Sequence, residues 1–544
     1  MHGLMMHGEL TITTILRHAM RWHPGSEIVS RRTDGAIHRI NYADLGRRIH
    51  KLANALARLG VKPGDRVATL AWNGWRHVEA YYAVSCMGAV CHTLNPRLFA
   101  DQLGYIVNHA EDTVLLFDVT FAKLVEKLAP SWPTVRHYVA LADAGAPPAC
   151  DLPGLLNYED LIAGESEDFA WPDLDERTAC SLCYTSGTTG NPKGVLFDHR
   201  SQVIHALSVS GGDWLCLRQR DSVLPVVPMF HACAWGLPYA GLMNGVKLVM
   251  PGHGLDGPNL CELIDAEKVT LLAGVPTVWL EMLRHLKATG GRLDSVERLM
   301  VGGAAAPRSM IQTLEEEYDV RVVHGWGMTE LSPVGTLSVP KAHMQDWPAE
   351  KRYAVQGLQG RPLYGVDMRI VDADGRELPH DGTAAGALQV RGPWVAGGYY
   401  RGDNPESFTA DGWFNTGDVA AIDAEGFLRL TDRTKDVIKS GGEWISSIEI
   451  ENVAVSHPAV QEAACIAITH SKWGERPLLV VVPKAGAAVD KADLLAFFEG
   501  KVAKWWIPDD VAVVEELPHT ATGKLYKLGL RERFRDFVLP TDAN

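Results

Sequence analysis

The chain has 544 residues and a mass of 59.5 kDa, which is enough for two or more domains with large cores. A hydrophobic content of 46% and a charged content of 22% are typical of an ordinary soluble globular protein. The formal net charge of −14 argues against a nucleic acid or an anionic membrane as partner, because an acidic chain does not neutralise phosphate groups.

Helix and strand patterns alternate along the first part of the chain. Apolar residues recur at helical spacing from Leu45 to Leu59, and Gly60 follows as a stop signal. A second apolar helix is expected near residues 78–87. Such alternation is typical of parallel sheets with helices packed on their faces. The predicted strands cover residues 66–71, 89–94, 113–117 and 269–273.

An uncharged stretch from Val223 to Val246 is long enough to raise the question of a membrane span. Its prolines and glycines would break a spanning helix, so we expect a buried strand, a turn and a buried helix. The amino-terminal residues lack the basic and apolar regions of a signal peptide, and we therefore expect a cytoplasmic protein without a transmembrane segment.

The nine cysteines are scattered, and their odd number favours a reducing compartment over a disulfide framework. Cys180 and Cys183 form a CxxC pair, but the sequence offers no second pair at the spacing of a zinc site. We interpret these two residues as small, buried strand residues.

Beyond about Pro340, short strands separated by turn signals replace the alternating pattern, which indicates a β-rich subdomain. The charged segment 431–436 follows, and after it a compact α/β pattern forms a second domain, joined near Lys435. The predicted fold class is therefore α/β, with a large N-terminal domain of layered, mostly parallel sheets and helices and a small α+β domain. The predicted strands cover residues 368–371, 388–391, 427–430, 464–468 and 478–482, and the predicted helices cover residues 448–456 and 491–503.

Residues 184–194 read Tyr-Thr-Ser-Gly-Thr-Thr-Gly-Asn-Pro-Lys-Gly. The glycines let backbone N–H groups converge on an anion, while the hydroxyls and Lys193 add donors and charge. The pattern is not a Walker A motif, because Pro192 precedes the lysine. Strand-like residues at 182–184 and 195–197 favour a loop that holds a polyphosphate over an ordinary flexible loop.

Four further segments complement this loop, and one of them, residues 432–445, combines a charged hinge with a glycine turn. The glycines of 325–330 flank a tryptophan and leave flat backbone for a purine, and Glu330 is a lone carboxylate that suits Mg²⁺. A surface glutamate that caps a helix is the alternative. Asp418, in a glycine turn, can accept hydrogen bonds from both hydroxyls of a ribose. Lys524 follows a Thr-Gly turn, where a solvated surface lysine is the ordinary interpretation.

Together and in this order, these motifs resemble the adenylate-forming superfamily of acyl-CoA synthetases, luciferases and nonribosomal-peptide adenylation domains. The resemblance extends from about Leu10 to Arg533. Within the superfamily the chain looks most like medium-chain fatty-acyl-CoA ligases and their relatives that act on 3-methylmercaptopropionate. The stretches that carry this closer resemblance are 71–73, 92–97, 225–231 and 439–446.

The resemblance implies a reaction in two halves with ATP, Mg²⁺ and coenzyme A. A carboxylate attacks the α-phosphate of ATP, and the thiol of coenzyme A then displaces AMP from the acyl-adenylate. Lys524, Glu330 and His231 are the implied catalytic residues, and Glu330 and Thr185 the implied metal ligands. The implied ATP- or AMP-binding residues are Thr185, Ser186, Gly187, Thr188, Thr189, Gly190, Lys193, Gly302, Gly303, Ala304, Gly325, Trp326, Gly327, Met328, Thr329, Asp418 and Arg433.

The resemblance also implies domain movement. Residues 1–431 would form the large domain, with the β-rich subdomain at about 340–431, and residues 437–544 would form a small mobile domain. Lys435 would be the pivot in a hinge at 432–436. The implied residues on the face that binds coenzyme A are Lys439, Gly441, Gly442, Glu443 and Trp444. The family usually has tyrosine where Trp326 stands, so stacking is kept but a role of the phenol hydroxyl is lost.

The expected class of acid substrate follows from the absence of acidic residues in one segment. An amino-acid substrate needs a carboxylate for its ammonium, usually just after the position of Phe230, but residues 231–235 contain no Asp or Glu. Because an unpaired ammonium in an apolar site is costly, an uncharged acid is expected. Trp235 is similar to the gate tryptophan of fatty-acyl synthetases, although simple core packing is the alternative. The other expected pocket residues are Val301, Gly302, Trp326, Pro333 and Val334.

The leading interpretation is an AMP-forming ligase of a short or medium-chain fatty acid, with 3-methylmercaptopropionate as one option. An aryl, cinnamate-like acid–CoA ligase is the nearest alternative, and a luciferase-like oxygenase or a carrier-protein loading module shares the motifs. A P-loop kinase is disfavoured by the order of Pro192 and Lys193. The expected partners are small molecules, without nucleic acid, and the sequence leaves a homodimer open.

Overall fold

A computed structural model describes residues 1, 3–146, 148–185, 191–212, 214–433, 436–441, 443–519 and 525–542, with residues 443 and 444 described by their backbone alone. The chain divides into two compact units. The first comprises Met1–Thr185, Asn191–Asp367 and Arg391–Glu406, and the second comprises the described residues of Met368–Val390 and Ser407–Asn544.

The strands described in the first unit fall into two sheets. In chain order they are β1 (Glu27–Arg31), β2 (Ile37–Asn41), β3 (Arg66–Leu70), β4 (Val90–Thr93), β5 (Val114–Phe117), β6 (His137–Ala140), β7 (Leu156–Asn157), β8 (Ala179–Tyr184), β9 (Gly194–Asp198), β10 (Ser222–Pro225), β11 (Lys247–Met250), β12 (Leu271–Gly274), β13 (Arg298–Val301), β14 (Arg321–Gly327), β15 (Val334–Ser338) and β16 (Arg361–Pro362).

In the described part of this unit, one sheet has seven strands in the order β7-β6-β5-β3-β4-β8-β9, and all its pairs are parallel except β8 with β9. The other has nine strands in the order β16-β15-β14-β13-β12-β10-β11-β1-β2, parallel from β14 to β1. These layered, mostly parallel sheets confirm the predicted fold class of the large domain.

Helices cover both sheets, as the alternation predicts. They are α1 (Ile12–Trp22), α2 (Tyr42–Arg58), α3 (Trp75–Cys86), α4 (Ala100–Ala110), α5 (Ala122–Leu128), α6 (Tyr158–Ala163), α7 (His199–Val209), α8 (Leu237–Asn244), α9 (Gly257–Glu267), α10 (Pro276–Thr289), α11 (Arg308–Tyr318) and α12 (Ala349–Gln356).

Helix α2 shows how the sequence specifies one of these elements. The Asn41 side chain accepts the N–H of Asp44 and caps the first turn, whose N–H groups have no partner within the helix. Its apolar residues repeat every three or four positions, so they share one face, and Leu45 and Leu56 on that face are fully buried. Gly60, at φ +89°, ends the pattern, as predicted.

The uncharged stretch contains β10, a short 3-10 turn at Ala232–Gly236 and the buried helix α8, which confirms the prediction of a strand, a turn and a helix. Among the described residues, none of the helices is long and apolar enough to cross a bilayer. Cys180 and Cys183 are buried residues of β8, as expected.

The described residues of the second unit form two more sheets. Their strands are β17 (Asp367–Val371), β18 (Ala385–Arg391), β19 (Phe414–Ile422), β20 (Leu428–Arg433), β21 (Ile438–Ser440), β22 (Glu443–Ile445), β23 (Val460–His470), β24 (Gly474–Pro483) and β25 (Asp510–Val513). The helices in this described part are α13 (Ser447–Val455), α14 (Lys491–Phe497) and α15 (Lys527–Arg533).

Strands β17 to β20 pair in chain order, and β22-β21-β24-β23 form a sheet that β25 joins beside β24. The predicted β-rich segment and the α+β pattern after it are thus both present. The predicted helix at 491–503 was wrong at its carboxyl end, because α14 stops at Phe497 and Gly500 takes φ +72°. The domain boundary at 432–436 lies inside this unit and stays a prediction.

Candidate functional site

The base of the glycine- and threonine-rich loop is fixed by the pairing of β8 with β9. Tyr184 lies opposite Gly194 in this antiparallel pair. One step further, the N–H of Thr185 donates to the carbonyl oxygen of Lys193 at 2.9 Å, and the N–H of Lys193 donates to Thr185 Oγ1 at 3.3 Å. The two ends of the loop are therefore held together. Ser186, Gly187, Thr188, Thr189 and Gly190 lie outside the described residues.

The segment from Gly325 to Glu330 is close-packed backbone at the end of β14. A bulge in the β14–β15 pair falls between Trp326 and Gly327. A Cβ on Gly327 would lie 2.0 Å from the carbonyl oxygen of Pro333, so only glycine fits there. Met328 and the buried Thr329 continue the chain into a short 3-10 turn that contains Glu330.

Glu330 is buried, at 4% exposure, and has a partner that the sequence did not reveal. The hydroxyl of Tyr399 donates to Glu330 Oε1 at 2.5 Å, and the N–H of Ala396 donates to the Glu330 carbonyl oxygen at 2.7 Å. Lys193 Nζ lies 5.2 Å from the centroid of the Tyr399 ring, within reach of a cation–π interaction. The structure thus brings Lys193 and Glu330 to one tyrosine.

Residues that were predicted to bind the adenine and residues that were predicted to line the acyl pocket are in contact with each other. Val301 ends β13, and the N–H of Gly302 donates to the carbonyl oxygen of Gly274 at 3.3 Å. A Cβ on Gly302 would lie 3.2 Å from Cη2 of Trp235 and 3.3 Å from the Gly325 carbonyl oxygen. The Trp235 ring therefore lies directly against Gly302. The remaining predicted residues nearby are the exposed Gly303 and Ala304 and the buried Trp326, Pro333 and Val334.

Trp235 belongs to a backbone turn that few side chains tolerate. Residues Ala232 to Trp235 all have positive φ, between +43° and +55°. This left-handed conformation costs about 1 kcal/mol or more for each residue that carries a Cβ. Packing must supply the compensation, and the turn is buried throughout. His231, half-buried, precedes it, so the histidine and the tryptophan sit at opposite ends of one strained turn.

In the second unit, Asp418 and Arg433 are register partners on β19 and β20. Arg433 Nε lies 2.9 Å from Asp418 Oδ1, and the Asp418 N–H donates to Thr416 Oγ1 at 3.1 Å. Gly417, at φ +74°, makes the turn that precedes the aspartate. The carboxylate is buried while the guanidinium is 41% exposed, so the pair presents an acceptor and a donor at one place.

The predicted coenzyme A residues lie on the β21–β22 hairpin of the same unit. Lys439 is exposed, and its backbone N–H donates to Glu475 Oε2 at 2.7 Å. The N–H of Gly441 donates to the carbonyl oxygen of Trp473 at 2.8 Å, and a Cβ on Gly441 would lie 3.0 Å from the Trp473 ring. Gly442 lies outside the described residues, and Glu443 and Trp444 are described by their backbone alone.

Two aromatic residues were missed by the sequence interpretation. Trp473 is 44% exposed and carries the Lys472 ammonium 4.7 Å above its ring. Its signal was a tryptophan directly before Gly474, in a segment that is otherwise polar. Tyr399 follows Gly397 and Gly398, but the sequence carries no signal of its contact with Glu330. Lys435 and Lys524, two further predicted residues, also lie outside the described residues.

Asp432, near the carboxyl end of β20, and the nearby Lys527 and Glu451 form a group of polar contacts within the second unit. Asp432 is buried and accepts the N–H of Ser447 at 2.6 Å. Lys527 Nζ lies 2.6 Å from Glu451 Oε1 and donates to Ser447 Oγ at 2.5 Å. Burial raises the pKa of Glu451 to about 6, and the nearby Lys527 opposes that rise.

Among the described side chains, no group of three or more His, Cys, Asp or Glu residues converges to hold a metal ion. Mg²⁺ does not require such a cage, since it usually binds one or two carboxylates together with substrate phosphates and water. The buried carboxylate of Glu330 and the hydroxyl of Thr185 are oxygen donors of the required kind.

Two protein-family models match this chain. The AMP-binding enzyme model matches residues 16–400, and the model of the AMP-binding enzyme C-terminal domain matches residues 449–524. The first match alone spans more than half of the chain. The chain belongs to the AMP-binding enzyme family. This result confirms the resemblance to the adenylate-forming superfamily.

Two relatives match this AMP-binding enzyme over nearly their whole length. The 3-methylmercaptopropionyl-CoA ligase of Ruegeria lacuscaerulensis is 49% identical over 536 residues, which cover 98% of this chain and 99% of the relative. The medium-chain-fatty-acid–CoA ligase of Ectopseudomonas oleovorans is 48% identical over 544 residues, which cover 100% of both. These two relatives are the ligases that the sequence motifs indicated.

The fold has solved counterparts. The crystal structure of ATP-bound MatB from Rhodopseudomonas palustris superposes with a TM-score of 0.83 at 27% identity, covering 97% of this chain and 99% of that chain. A fatty acyl CoA synthetase of Mycobacterium tuberculosis gives a TM-score of 0.70 at the same identity and coverage.

His205 gives the region around Val334 a pH-dependent stability. Its Nε2 accepts the Val334 N–H at 3.2 Å, and burial lowers its pKa to about 3. The unfolded chain therefore binds one proton more between pH 6.5 and 3, so the free energy of unfolding falls as the pH drops through that window. His205→Gln keeps an acceptor without the proton site. We expect it to reduce the slope between pH 6 and 5 by about 1 kcal/mol per pH unit in urea unfolding.

His380→Gln is the matched control, since it makes the same substitution at an exposed position. Equal slopes for the wild type and His205→Gln would contradict the assignment of this pH dependence to His205.

Proposed function

We propose that this AMP-binding enzyme is an AMP-forming acid–CoA ligase that activates a short or medium-chain fatty acid or a similar uncharged acid such as 3-methylmercaptopropionate. The observation that carries the proposal is the meeting of Lys193 and the buried Glu330 at Tyr399, at the base of the glycine- and threonine-rich loop. The same tyrosine thereby contacts a cation that suits phosphates and a carboxylate that suits a metal bound to those phosphates.

In the first half-reaction, an oxygen of the acid forms a bond to the α-phosphorus of ATP, and the bond from that phosphorus to the bridging oxygen breaks to release pyrophosphate. Both reactants are anions, so positive charge must offset their repulsion. We assign this role to Lys193 on the leaving phosphates and to Lys524 between the acid and the α-phosphate. Asp418 accepts from the ribose hydroxyls, and Arg433 holds that carboxylate in place.

Mg²⁺ belongs to the proposal as the partner of the triphosphate, which it neutralises when bound. Glu330 and Thr185 are its proposed protein ligands, because both offer oxygen donors beside the loop. His231 is proposed to lie at the acid, at the start of the strained turn that ends in Trp235.

In the second half-reaction, the sulfur of coenzyme A forms a bond to the acyl carbon and the bond from that carbon to AMP breaks. We propose that the small domain pivots at Lys435 between the halves, so that Lys439 and residues 441–444 replace Lys524. The exposed ring of Trp473 beside Gly441, with Lys472 above it, suits the stacking of an adenine that carries phosphates.

The uncharged acid follows from the wall of the proposed acyl pocket. Trp235 and Gly302 are in contact, and Val301, Pro333 and Val334 are buried and apolar. An ammonium placed there would lose its hydration without gaining a partner in this wall. We also propose a reducing, cytoplasmic location for the enzyme, which its free cysteines support.

The proposal is tested by pyrophosphate and AMP release with linear, thioether and aromatic acids, with and without coenzyme A. We expect activity with medium-chain acids or 3-methylmercaptopropionate and none with amino acids. A preference for cinnamate-like acids would instead favour the aryl-acid ligase. Absence of AMP with every carboxylic acid would contradict the proposed enzyme class.

Lys524→Ala is expected to lower the rate of pyrophosphate release by at least a hundredfold, because the removed cation offsets the repulsion of two anions. Thioester formation from a purified acyl-adenylate should stay within about threefold of the wild type. The exposed Lys484→Ala serves as the matched control. Equal losses in both half-reactions would refute this division of labour.

Trp473→Ala is expected to raise KM for coenzyme A about tenfold, because base–aromatic stacking is lost. Pyrophosphate release without coenzyme A should not change. Trp505, 41% exposed in the same unit, is the matched control, and Trp505→Ala should leave both measurements unchanged. An unaltered KM in Trp473→Ala would remove Trp473 from the proposed coenzyme A face.

A further inference from the structure

Tyr399 makes two contacts of different chemistry with the proposed metal and phosphate residues. Its hydroxyl donates to Glu330 Oε1 at 2.5 Å, and its ring face lies 5.2 Å from Lys193 Nζ. Lys193 and Glu330 are 137 positions apart in sequence, and Tyr399 lies another 69 positions on. One side chain therefore links two residues that the sequence keeps far apart.

Hydrogen bonds join the two chain segments that carry Tyr399 and Glu330. The Ala396 N–H donates to the Glu330 carbonyl oxygen at 2.7 Å, and Ser332 Oγ donates to the Trp394 carbonyl oxygen at 2.8 Å. Trp394 Nε1 in turn donates to the carbonyl oxygen of Val334 at 3.2 Å. The segment that carries Tyr399 is thus bonded three times to the segment that carries Glu330, and these bonds keep the hydroxyl beside the carboxylate.

The hydroxyl has a definite effect on the carboxylate. Glu330 and Tyr399 are only 4% and 8% exposed, and a buried carboxylate is costly unless it accepts hydrogen bonds. A hydrogen bond to an ionised oxygen is shorter and stronger than one between neutral groups. Because the bond ends on Oε1, it also fixes the rotation of the carboxylate about its last bond, and with it the direction of Oε2.

The ring has a separate effect. An ammonium within about 6 Å of a ring centroid is attracted to the face of the ring, so the ring holds Lys193 at one face of the tyrosine. The rigid distance across a phenol then sets the separation between the cation and the carboxylate.

We propose that Tyr399 is a positioning residue that orients Glu330 for a divalent metal and sets its distance from Lys193. The inference rests on the proposed function for the roles of Glu330 and Lys193, and it adds a residue that acts through both. Tyr399 itself does not touch the reacting atoms in this assignment.

The test separates the hydroxyl from the ring. Tyr399→Phe removes the hydrogen bond and keeps the ring, whereas Tyr399→Leu removes both. We expect Tyr399→Phe to raise the Mg²⁺ concentration for half-maximal pyrophosphate release about tenfold, with kcat at saturating Mg²⁺ within about threefold of the wild type. Tyr399→Leu should in addition raise KM for ATP about fivefold.

A binding measurement makes the result independent of catalysis. Mn²⁺ is titrated into the enzyme with α,β-methylene-ATP and followed by electron paramagnetic resonance. The Mn²⁺ dissociation constant should rise about tenfold in Tyr399→Phe. In the Glu330→Gln background, Tyr399→Phe should add less than a further twofold, because the hydroxyl acts through the carboxylate that is already lost.

Tyr400→Phe is the matched control, since it makes the same change one residue along the chain, and its Mn²⁺ affinity should equal that of the wild type. An unchanged Mn²⁺ affinity in Tyr399→Phe, an equal loss in Tyr400→Phe, or a full additional loss in the Glu330→Gln background would each overturn the inference. If the wild type released no pyrophosphate with any acid while Tyr399→Phe still weakened Mn²⁺ binding, the proposed function would fail and the inference would stand.

Discussion

The antiparallel pairing of β8 with β9 is the constraint on which the rest of the site depends. In a sheet whose other described pairs are parallel, this pair turns the chain back at the carboxyl end of β8. Ligands of open α/β sheets bind at the carboxyl ends of the strands, so the reversal places the loop at the functional edge. The reciprocal bonds between Thr185 and Lys193 then join the two ends of the loop.

The site is completed by segments that follow this stem at long range. Glu330 comes from the turn after β14, and Tyr399 comes from a segment near the end of the first unit. Each of these segments is held by backbone contacts, including the close approach of Gly327 to Pro333. Only glycine fits at position 327, because a side chain would collide with Pro333. The glycines of 325–330 are therefore also required by packing within the chain.

The elements with local signals could be predicted from the sequence. The apolar period of α2 and its stop at Gly60 depend on neighbours in the chain, and so do the strands that flank the loop. The Tyr399–Glu330 contact could not be predicted in this way, because it joins residues 69 positions apart and neither leaves a local pattern. The carboxyl end of α14 was placed too far along the chain because Gly500, at φ +72°, was not treated as a stop signal, although Gly60 was.

The left-handed turn from Ala232 to Trp235 was equally hidden, since none of its residues favours that conformation. Three of its four side chains are Ala or Cys, which are small enough to limit the collisions that the turn creates. The left-handed path of the main chain thereby brings the Trp235 ring against Gly302. Even a methyl group at position 302 would lie 3.2 Å from Cη2 of that ring, so the tryptophan would have to shift by a few tenths of an ångström to make room for it.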